Sequence, residues 1–319
     1  MGLQSKYIWM NGKMVEFDKA TVHFLTPTLH YGAGVFEGIR CYNTENGPAV
    51  FRLKEHVKRL FDSAYIFGCR ELPYTETQVA EAIKQTVAVN NFKACYIRPL
   101  IYFTGDALGL NMDVFQTNLG IAAWEWDSYL GEEALEKGIR AKISSFTRHH
   151  PNVTMTKAKT AGNYSNSYLA KSEAVRLGFD EAIMLDPQGY VSECTGENLF
   201  VIRKGKLYTP PTSAILEGIT RDALITLARD LGYEVVEQLL SRDHLYIADE
   251  VFVCGTAAEC VPVCEIDFHV IGAGKRGPIT HALQKEFQTV IRGQHARSAE
   301  WLDPVDTKVT LPADAVKLA

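Results

Sequence analysis

Apolar residues recur along this chain with two alternating periods. In the opening YIWMNGKMVEF, two short apolar runs flank Asn11-Gly12, a dipeptide that favours a type I′ hairpin turn. AVFRL reads as a further strand leading into a helix, because Val57, Leu60, Phe61, Ala64 and Tyr65 fall at i, i+3, i+4, i+7 and i+8. Val79, Ala82, Ile83, Thr86 and Val87 repeat that pattern and predict a second helix, stopped by Asn90-Asn91. CYIRPLIYF and NLGIAAWEW read as strands, and the acidic, less periodic stretch 125–137 reads as a linker. Beyond it come the strand GIRAKISSF, a polar loop, and a helix from about Tyr164 to Arg176 that ends near Gly178. EAIMLD, YVSEC, NLFVIR, KLYT, EVVEQLL, EVFVCG and IDFHVIG are strand candidates. ITRDALITLARDLG, ending at a C-cap glycine, and ITHALQKEFQTVIRG are helix candidates. The run after Trp301 is weakly patterned and reads as a loose tail. Helices and strands come in blocks rather than strict alternation, so the expectation is an α+β fold of two domains.

Composition narrows the class. Hydrophobic residues make up 46% and charged residues 22% of the 319, enough for two sizeable cores and too apolar for disorder. The net charge of −5 is spread without a basic run, so a nucleic-acid partner is not expected. No apolar stretch approaches the ~20 residues that span a bilayer, and the N-terminus lacks the apolar core of a signal peptide. The seven cysteines form no C-x-x-C pair and read as reduced thiols of a cytoplasmic protein.

Two tempting motifs fall away. GAGKRG at 272–277 matches G-x-G-x-x-G, but the chain after it is too short for the rest of a dinucleotide-binding unit, and no strand-ending acid follows. A β-to-α turn is the better account. His149-His150 are adjacent on a loop and offer no facing ligand pair, so no metal site is expected. The region from Lys157 to Arg221 is richer. Lys157 or Lys159 precedes a helix, Glu193 interrupts an apolar strand, and Gly218-Ile219-Thr220 opens a helix beside Arg221. An anionic aromatic cofactor held through a lysine would need such a lysine, an acid for a ring nitrogen and donors for a phosphate. Each residue alone has an ordinary reading as a solvated lysine, a strand glutamate or an N-cap.

The run ECTGENLF (193–200), then LYT (207–209) and LEGITR (216–221), resembles the signature of the class IV, fold-type IV, pyridoxal-phosphate enzymes. Within that class HYGAGVFEGIRCY (30–42), EHVKRL (55–60), YIRPLIYF (96–103), WDSYLG (126–131), AKTAGNY (158–164), LSRDHLYIADEVF (240–252) and GTAAE (255–259) resemble the bacterial branched-chain aminotransferases. The resemblance runs from about Tyr7 to Pro304. It implies a small N-terminal domain (1–124), an interdomain loop (125–137), a large cofactor-binding domain with a pseudo-barrel sheet (138–304) and a tail (305–319).

It further implies roles for residues. Lys159, rather than Lys157, would be the Schiff-base lysine and the base that moves the substrate's α-proton. Glu193 would keep the pyridine nitrogen protonated, and Tyr164 would hydrogen-bond the ring oxygen O3′. Arg59, the amides of Ile219 and Thr220 and the Thr256 hydroxyl would bind the phosphate, with Leu216 also at the cofactor. The substrate's α-carboxylate would meet Tyr96 and the Thr256 and Ala257 amides, and Arg98 would take glutamate's distal carboxylate. Phe36, Trp126 and Tyr129 would wall the side-chain pocket, with Gly38 and Ala258 beside it. Tyr31 and Leu110 match positions that reach into a neighbouring subunit's active site, so a homodimer or a larger homo-oligomer, up to a hexamer, is implied.

Some segments depart from the bacterial pattern. The loop after Arg98 reads YFTGDALGLN, with its Gly and Asp displaced by a residue, and Thr160-Ala161 stands where a Gly-rich pair is common. The function implied is transfer of an amino group between leucine, isoleucine or valine and 2-oxoglutarate by a ping-pong mechanism. Rivals of the same fold are a D-amino-acid or (R)-amine transaminase and an aminodeoxychorismate-type lyase, and a pseudo-enzyme acting as a binding protein is a third. Arg98 in YIRPL, together with GTAAE, favours the branched-chain reading over the first rival. A lyase would leave Arg98 idle, and retention of Lys159, Glu193 and Arg59 argues against a pseudo-enzyme.

Overall fold

The computed structural model describes residues 5–105, 108–126, 130–131 and 133–308. The chain divides into two compact units. The first takes Met1–Trp126, Ala158–Gly162 and Thr289–Ala319; the second takes Asp127–Lys157 and Asn163–Gln288.

In the first unit, β1 (Tyr7–Met10) and β2 (Lys13–Glu16) form the expected hairpin. Asn11 and Gly12 both have positive φ, 49° and 88°, as a type I′ turn requires. A one-turn helix, α1 (Pro27–Tyr31), precedes β3 (Gly34–Phe36), β4 (Ile39–Thr44) and β5 (Gly47–Phe51). The helices α2 (Leu53–Ile66) and α3 (Glu76–Val89) follow. Thr75 and Gln78 close a capping box at the start of α3. At its end the Asn90 side chain accepts the amides of Lys6 and Tyr7, tying the helix to β1. The long strands β6 (Cys95–Thr104) and β7 (Gln116–Trp124) complete the centre of the sheet.

Alternation along β6 sorts its residues. Ile97, Ile101 and Phe103 are buried in one core with Val57, Leu60, Val79 and Ile83 of the two helices. Tyr96 and Arg98 therefore project from the other face, where Tyr96 pairs in register with Trp124 of β7 and with Arg40 of β4. The face turned away from the helices carries the chemistry described below.

In the second unit the interdomain stretch includes a four-residue helix, α4 (Ala134–Lys137). Then come β8 (Ile139–Ile143), α5 (Tyr164–Arg176), β9 (Glu181–Leu185), β10 (Val191–Cys194), β11 (Asn198–Arg203) and β12 (Lys206–Thr209). They are followed by α6 (Ile219–Asp230), β13 (Val235–Glu237), α7 (Arg242–Tyr246), β14 (Glu250–Gly255), β15 (Glu259–Ile266), β16 (His269–Val270) and α8 (Pro278–Ile291). Among the described residues they form a nine-stranded mixed sheet in the order β10-β9-β8-β15-β14-β11-β12-β13, with β16 beside β15. Small residues let α5 lie close to the sheet, where Ala170 and Ala174 pack with Phe179, Ala182 and Met184.

The structure differs from the pattern reading in three places. IDFHVIG is not one strand: Asp267 and Phe268 have φ of 49° and 66°, and the turn they make separates β15 from β16. EVVEQLL is strand only over Val235–Glu237. The run after Trp301 is not loose at its start. A short helix, α9 (Ser298–Trp301), leads into β17 (Leu302–Pro304), which pairs with β5 and brings Val305 into the first unit's core. GAGKRG does form a turn into a helix. Glu250 accepts the α8 amides of Ile279 and Thr280, at 3.0 and 2.8 Å, so a carboxylate of this chain already fills that helix N-terminus.

Candidate active site

The Ala158–Gly162 segment runs beside β3. The Phe36 amide donates to the Lys159 carbonyl at 3.0 Å, and Val35 and Thr160 form an antiparallel bridge. On the other side the Lys159 amide donates to Ser63 Oγ of α2 at 3.0 Å. Gly162 donates to the Gly32 carbonyl, and a Cβ on Gly32 would lie 2.8 Å from Gly162 Cα, so only glycine allows this approach. The Lys159 backbone is thus held by two elements, and its Nζ lies 5.1 Å from the centre of the Phe36 ring. Lys157, the other candidate, is engaged elsewhere: its ammonium pairs with Glu217 at 2.9 Å and donates to the Thr212 carbonyl.

The open face of β6 gathers aromatics around a cation. Arg98 Cζ lies 4.5 Å from the Phe36 ring centre, 5.4 Å from Tyr96 and 6.0 Å from Trp124. Arg98 Nη2 donates to the Tyr96 hydroxyl at 3.2 Å, while its buried Nε has no hydrogen-bond partner among the described residues. Trp126 packs edge-on to Tyr96 at 4.6 Å, and its carbonyl accepts from Arg40. Gly38 is where the Tyr96 hydroxyl needs space, since a Cβ there would come within 2.0 Å of it. Tyr31 and Leu110 are solvent-facing, the latter 84% exposed. Tyr129 lies outside the described residues.

Arg59, on α2, meets the carboxylate of Glu37 with Nε–Oε1 at 2.6 Å and Nη2–Oε2 at 2.9 Å. His56 Nδ1 lies 2.7 Å from the same Oε2. Burial alone would raise the Glu37 pKa, but the Arg59 charge and the His56 hydrogen bond hold it well below the usual carboxylate range. Burial likewise lowers the His56 pKa, which Glu37 only partly offsets. Glu37 is therefore ionised and His56 neutral, with Nδ1–H donating to the carboxylate.

In the second unit, Glu193 lies on β10 where the pairing with β9 shifts register between Val191 and Cys194. Such a bulge re-aims a strand side chain. Its carboxylate accepts from Arg148 Nε at 2.7 Å, from the Leu216 amide at 3.2 Å and from Asn198 Nδ2 at 3.3 Å. Asn198 also requires Gly218, since a Cβ there would lie 2.0 Å from Asn198 Oδ1. Gly218 is the N-cap of α6, and it brings no side-chain cap to the helix that Ile219 and Thr220 begin. The positive end of that helix is suited to an anion. Tyr164 opens α5. Thr256, Ala257 and the buried Ala258 form the turn between β14 and β15.

Sequence pattern alone does not single out Glu37, His56, Arg148, Asn198 or Trp124. A polar residue inside an apolar run is the available signal for Glu37, flanked by Phe36 and Gly38-Ile39. Arg148 carries none, lying in a polar loop beside two histidines.

A family model described as class IV amino-transferase matches residues 34–266. The branched-chain-amino-acid aminotransferase of Pseudomonas aeruginosa is 49% identical over 294 residues, covering 92% of this chain and 95% of that protein. A crystal structure of the Escherichia coli branched-chain amino acid aminotransferase superposes with a TM-score of 0.92 at 48% identity, covering 95% of this chain and all of that one. The branched-chain amino acid aminotransferase of Thermobaculum terrenum, in its PLP form (holo-form), gives 0.89 at 38% identity over 96% of this chain and all of that one. A match of this extent makes the chain a member of the class IV aminotransferase family, in its branched-chain amino acid aminotransferase group.

Proposed function

We propose that this enzyme moves the amino group between leucine, isoleucine or valine and 2-oxoglutarate, with pyridoxal 5′-phosphate as cofactor, in two half-reactions that share one pocket. The donor set suits that cofactor: a lysine amine fixed at its backbone, an arginine held by a buried carboxylate, an uncapped helix N-terminus and a buried glutamate each match one of its groups. When bound, the cofactor supplies an electrophilic carbonyl and a ring that withdraws electrons from the substrate's Cα.

The chain's own residues do the rest. Lys159 would hold the cofactor at its carbonyl carbon and would carry the proton to and from the substrate's Cα. Glu193 meets the ring nitrogen and keeps a proton there, and Tyr164 donates to the ring oxygen. Arg59, the Ile219 and Thr220 amides and the Thr256 hydroxyl take the phosphate, with Leu216 alongside. Tyr96 and the Thr256 and Ala257 amides orient the α-carboxylate, beside Gly38 and Ala258. Phe36, Trp126 and Tyr129 exclude water from the side-chain pocket. Tyr31 and Leu110 act on a neighbouring subunit's site in a homo-oligomer.

The observation that carries the dual specificity is the environment of Arg98. Its guanidinium lies against aromatic faces that suit a branched apolar side chain, and its buried Nε is a donor with no hydrogen-bond partner among the described residues. A lyase or a single-substrate transaminase gives no reason for that donor. Single-turnover absorbance measurements with L-leucine, L-isoleucine, L-valine, L-glutamate and D-leucine test the proposal. All four L-donors should convert the cofactor's visible band, and a 2-oxo acid should restore it. Conversion by D-leucine alone would refute it.

A further inference from the structure

β6 and β7 place a small residue opposite Arg98 and a large one beside it. In register, Arg98 faces Ala122 and Tyr96 faces Trp124. Ala122 leaves room over the sheet for the guanidinium, and Trp124, diagonal to Arg98 on the same face, is within reach of so long a side chain. The Trp124 ring centre lies 6.0 Å from Arg98 Cζ, behind those of Phe36 at 4.5 Å and Tyr96 at 5.4 Å. Trp124 is itself held by neighbouring rings, with centroids 5.1 Å from Tyr96 and 5.8 Å from Trp126. An indole at that distance still attracts a cation, and more strongly than a phenyl or phenol ring would.

Among the described residues the guanidinium meets a phenol hydroxyl and three rings, and no carboxylate pairs with it. Its Nε is buried without a partner among them. A cation kept this way has two very different bound states. Under a ligand that ends in a carboxylate, the anion neutralises it. Under a branched apolar side chain, water is displaced and nothing negative replaces it, so the charge bears the desolvation cost unless the rings offset it. In the empty pocket water shares that task. The rings therefore count most in the apolar complex, because their attraction strengthens as water leaves. Phe36 also faces the Lys159 ammonium, and Tyr96 is assigned to the α-carboxylate, so Trp124 is the ring whose change disturbs the fewest other tasks.

We infer that Trp124 is a specificity-determining residue: with Phe36 and Tyr96 it forms an aromatic cage that stabilises Arg98 when no anion is present, and so favours branched apolar ligands relative to dicarboxylates in one shared pocket. The inference rests on the reading of Arg98 as the acceptor of a distal carboxylate.

The test is calorimetric titration of the cofactor-loaded enzyme with two ligands that cannot react, glutarate and 4-methylvalerate, which carry the glutamate and leucine side chains without an amine. Trp124→Leu should weaken 4-methylvalerate by ~fivefold and glutarate by less than ~twofold, with Trp124→Phe between the parent and Trp124→Leu. In an Arg98→Met background there is no charge to stabilise, and adding Trp124→Leu should leave 4-methylvalerate binding within ~twofold of Arg98→Met alone. Equal weakening of both ligands would mean that Trp124 is only a wall of the pocket, and weakening that persists beside Arg98→Met would mean that it acts by packing. Either result overturns the inference. A larger loss for glutarate would mean that Trp124 aims Arg98 at the anion, and overturns it as well. Should Arg98→Met bind glutarate as the parent does, the reading of Arg98 itself falls; where it does not, that reading stands and the Trp124 variants alone decide. If Trp124→Leu fails to fold, Trp124→Phe in the two backgrounds decides by the same comparison.

Discussion

Lys159 is joined to Phe36 twice: its carbonyl accepts the Phe36 amide at 3.0 Å, and its ammonium lies 5.1 Å from the centre of the Phe36 ring. The first contact fixes the backbone from which the side chain projects. The second places a cation over an aromatic face, on a ring that Arg98 also approaches at 4.5 Å. One phenylalanine ring is therefore approached both by the group we assign to proton transfer and by the group we assign to a distal carboxylate.

Lys159→Ala should abolish turnover without unfolding the chain, because the segment is held through its backbone. The cofactor's visible band should also be lost at concentrations that saturate the parent. A variant that keeps that band and near-normal turnover would assign the role to another lysine. Lys157 is a poor substitute, since its ammonium is committed to Glu217 and the Thr212 carbonyl.

Glu193→Gln should leave the cofactor bound and slow the single-turnover rate by ~10²-fold or more, about 2.7 kcal/mol of barrier. A neutral amide cannot hold a proton on the ring nitrogen. Rates equal to the parent's would mean that Glu193 serves only to satisfy Arg148.

Gly38→Ala should disturb Tyr96 rather than the backbone. The added methyl would lie 2.0 Å from the Tyr96 hydroxyl, so the ring must move. KM should rise for every amino-acid substrate alike, as it should in Tyr96→Phe, if the hydroxyl meets the shared α-carboxylate. A rise confined to glutamate would place Tyr96 with Arg98 instead.

The buried acid–histidine pair sets a pH signature. His56 has its pKa lowered in the folded chain, so below the unfolded value of about 6.5 the unfolded state takes up the proton first and stability falls with pH. Glu37 is also lowered, so its contribution is present above about 4.3 and is lost as pH falls further. Thermal midpoints of the parent and His56→Asn should converge as pH drops from 7 to 5, and those of Glu37→Gln should approach the parent's below about pH 4.3. Differences that stay constant across pH would contradict these assignments.

Local pattern makes much of the fold legible. The Asn11-Gly12 turn, the span of α5 and the alternation that puts Tyr96 and Arg98 on one face of β6 follow from periods and turn chemistry alone. What is not legible depends on distant partners. Leu302–Pro304 becomes a strand only because β5 offers an edge, and Lys159 gains its fixed backbone from β3 and Ser63, far away in sequence. Arg148 reads locally as an ordinary surface charge and Glu37 only as an acid inside an apolar run, and tertiary packing alone brings each to its counter-charge. The pair of roles given to one pocket is suggested by resemblance; the aromatic box around Arg98 gives it a physical basis.

An apolar cavity cannot desolvate glutamate's distal carboxylate without a fixed cation, whereas leucine needs none. The direct measurement is kcat/KM of Arg98→Ala for L-glutamate and for L-leucine in separate half-reactions. Loss of a buried charge pair costs about 2–5 kcal/mol, so the glutamate value should fall by at least ~30-fold. The leucine value should change by no more than a few-fold. An equal fall for both substrates would mean that Arg98 is structural or binds the α-carboxylate, and no fall for either would mean that glutamate is recognised by other groups.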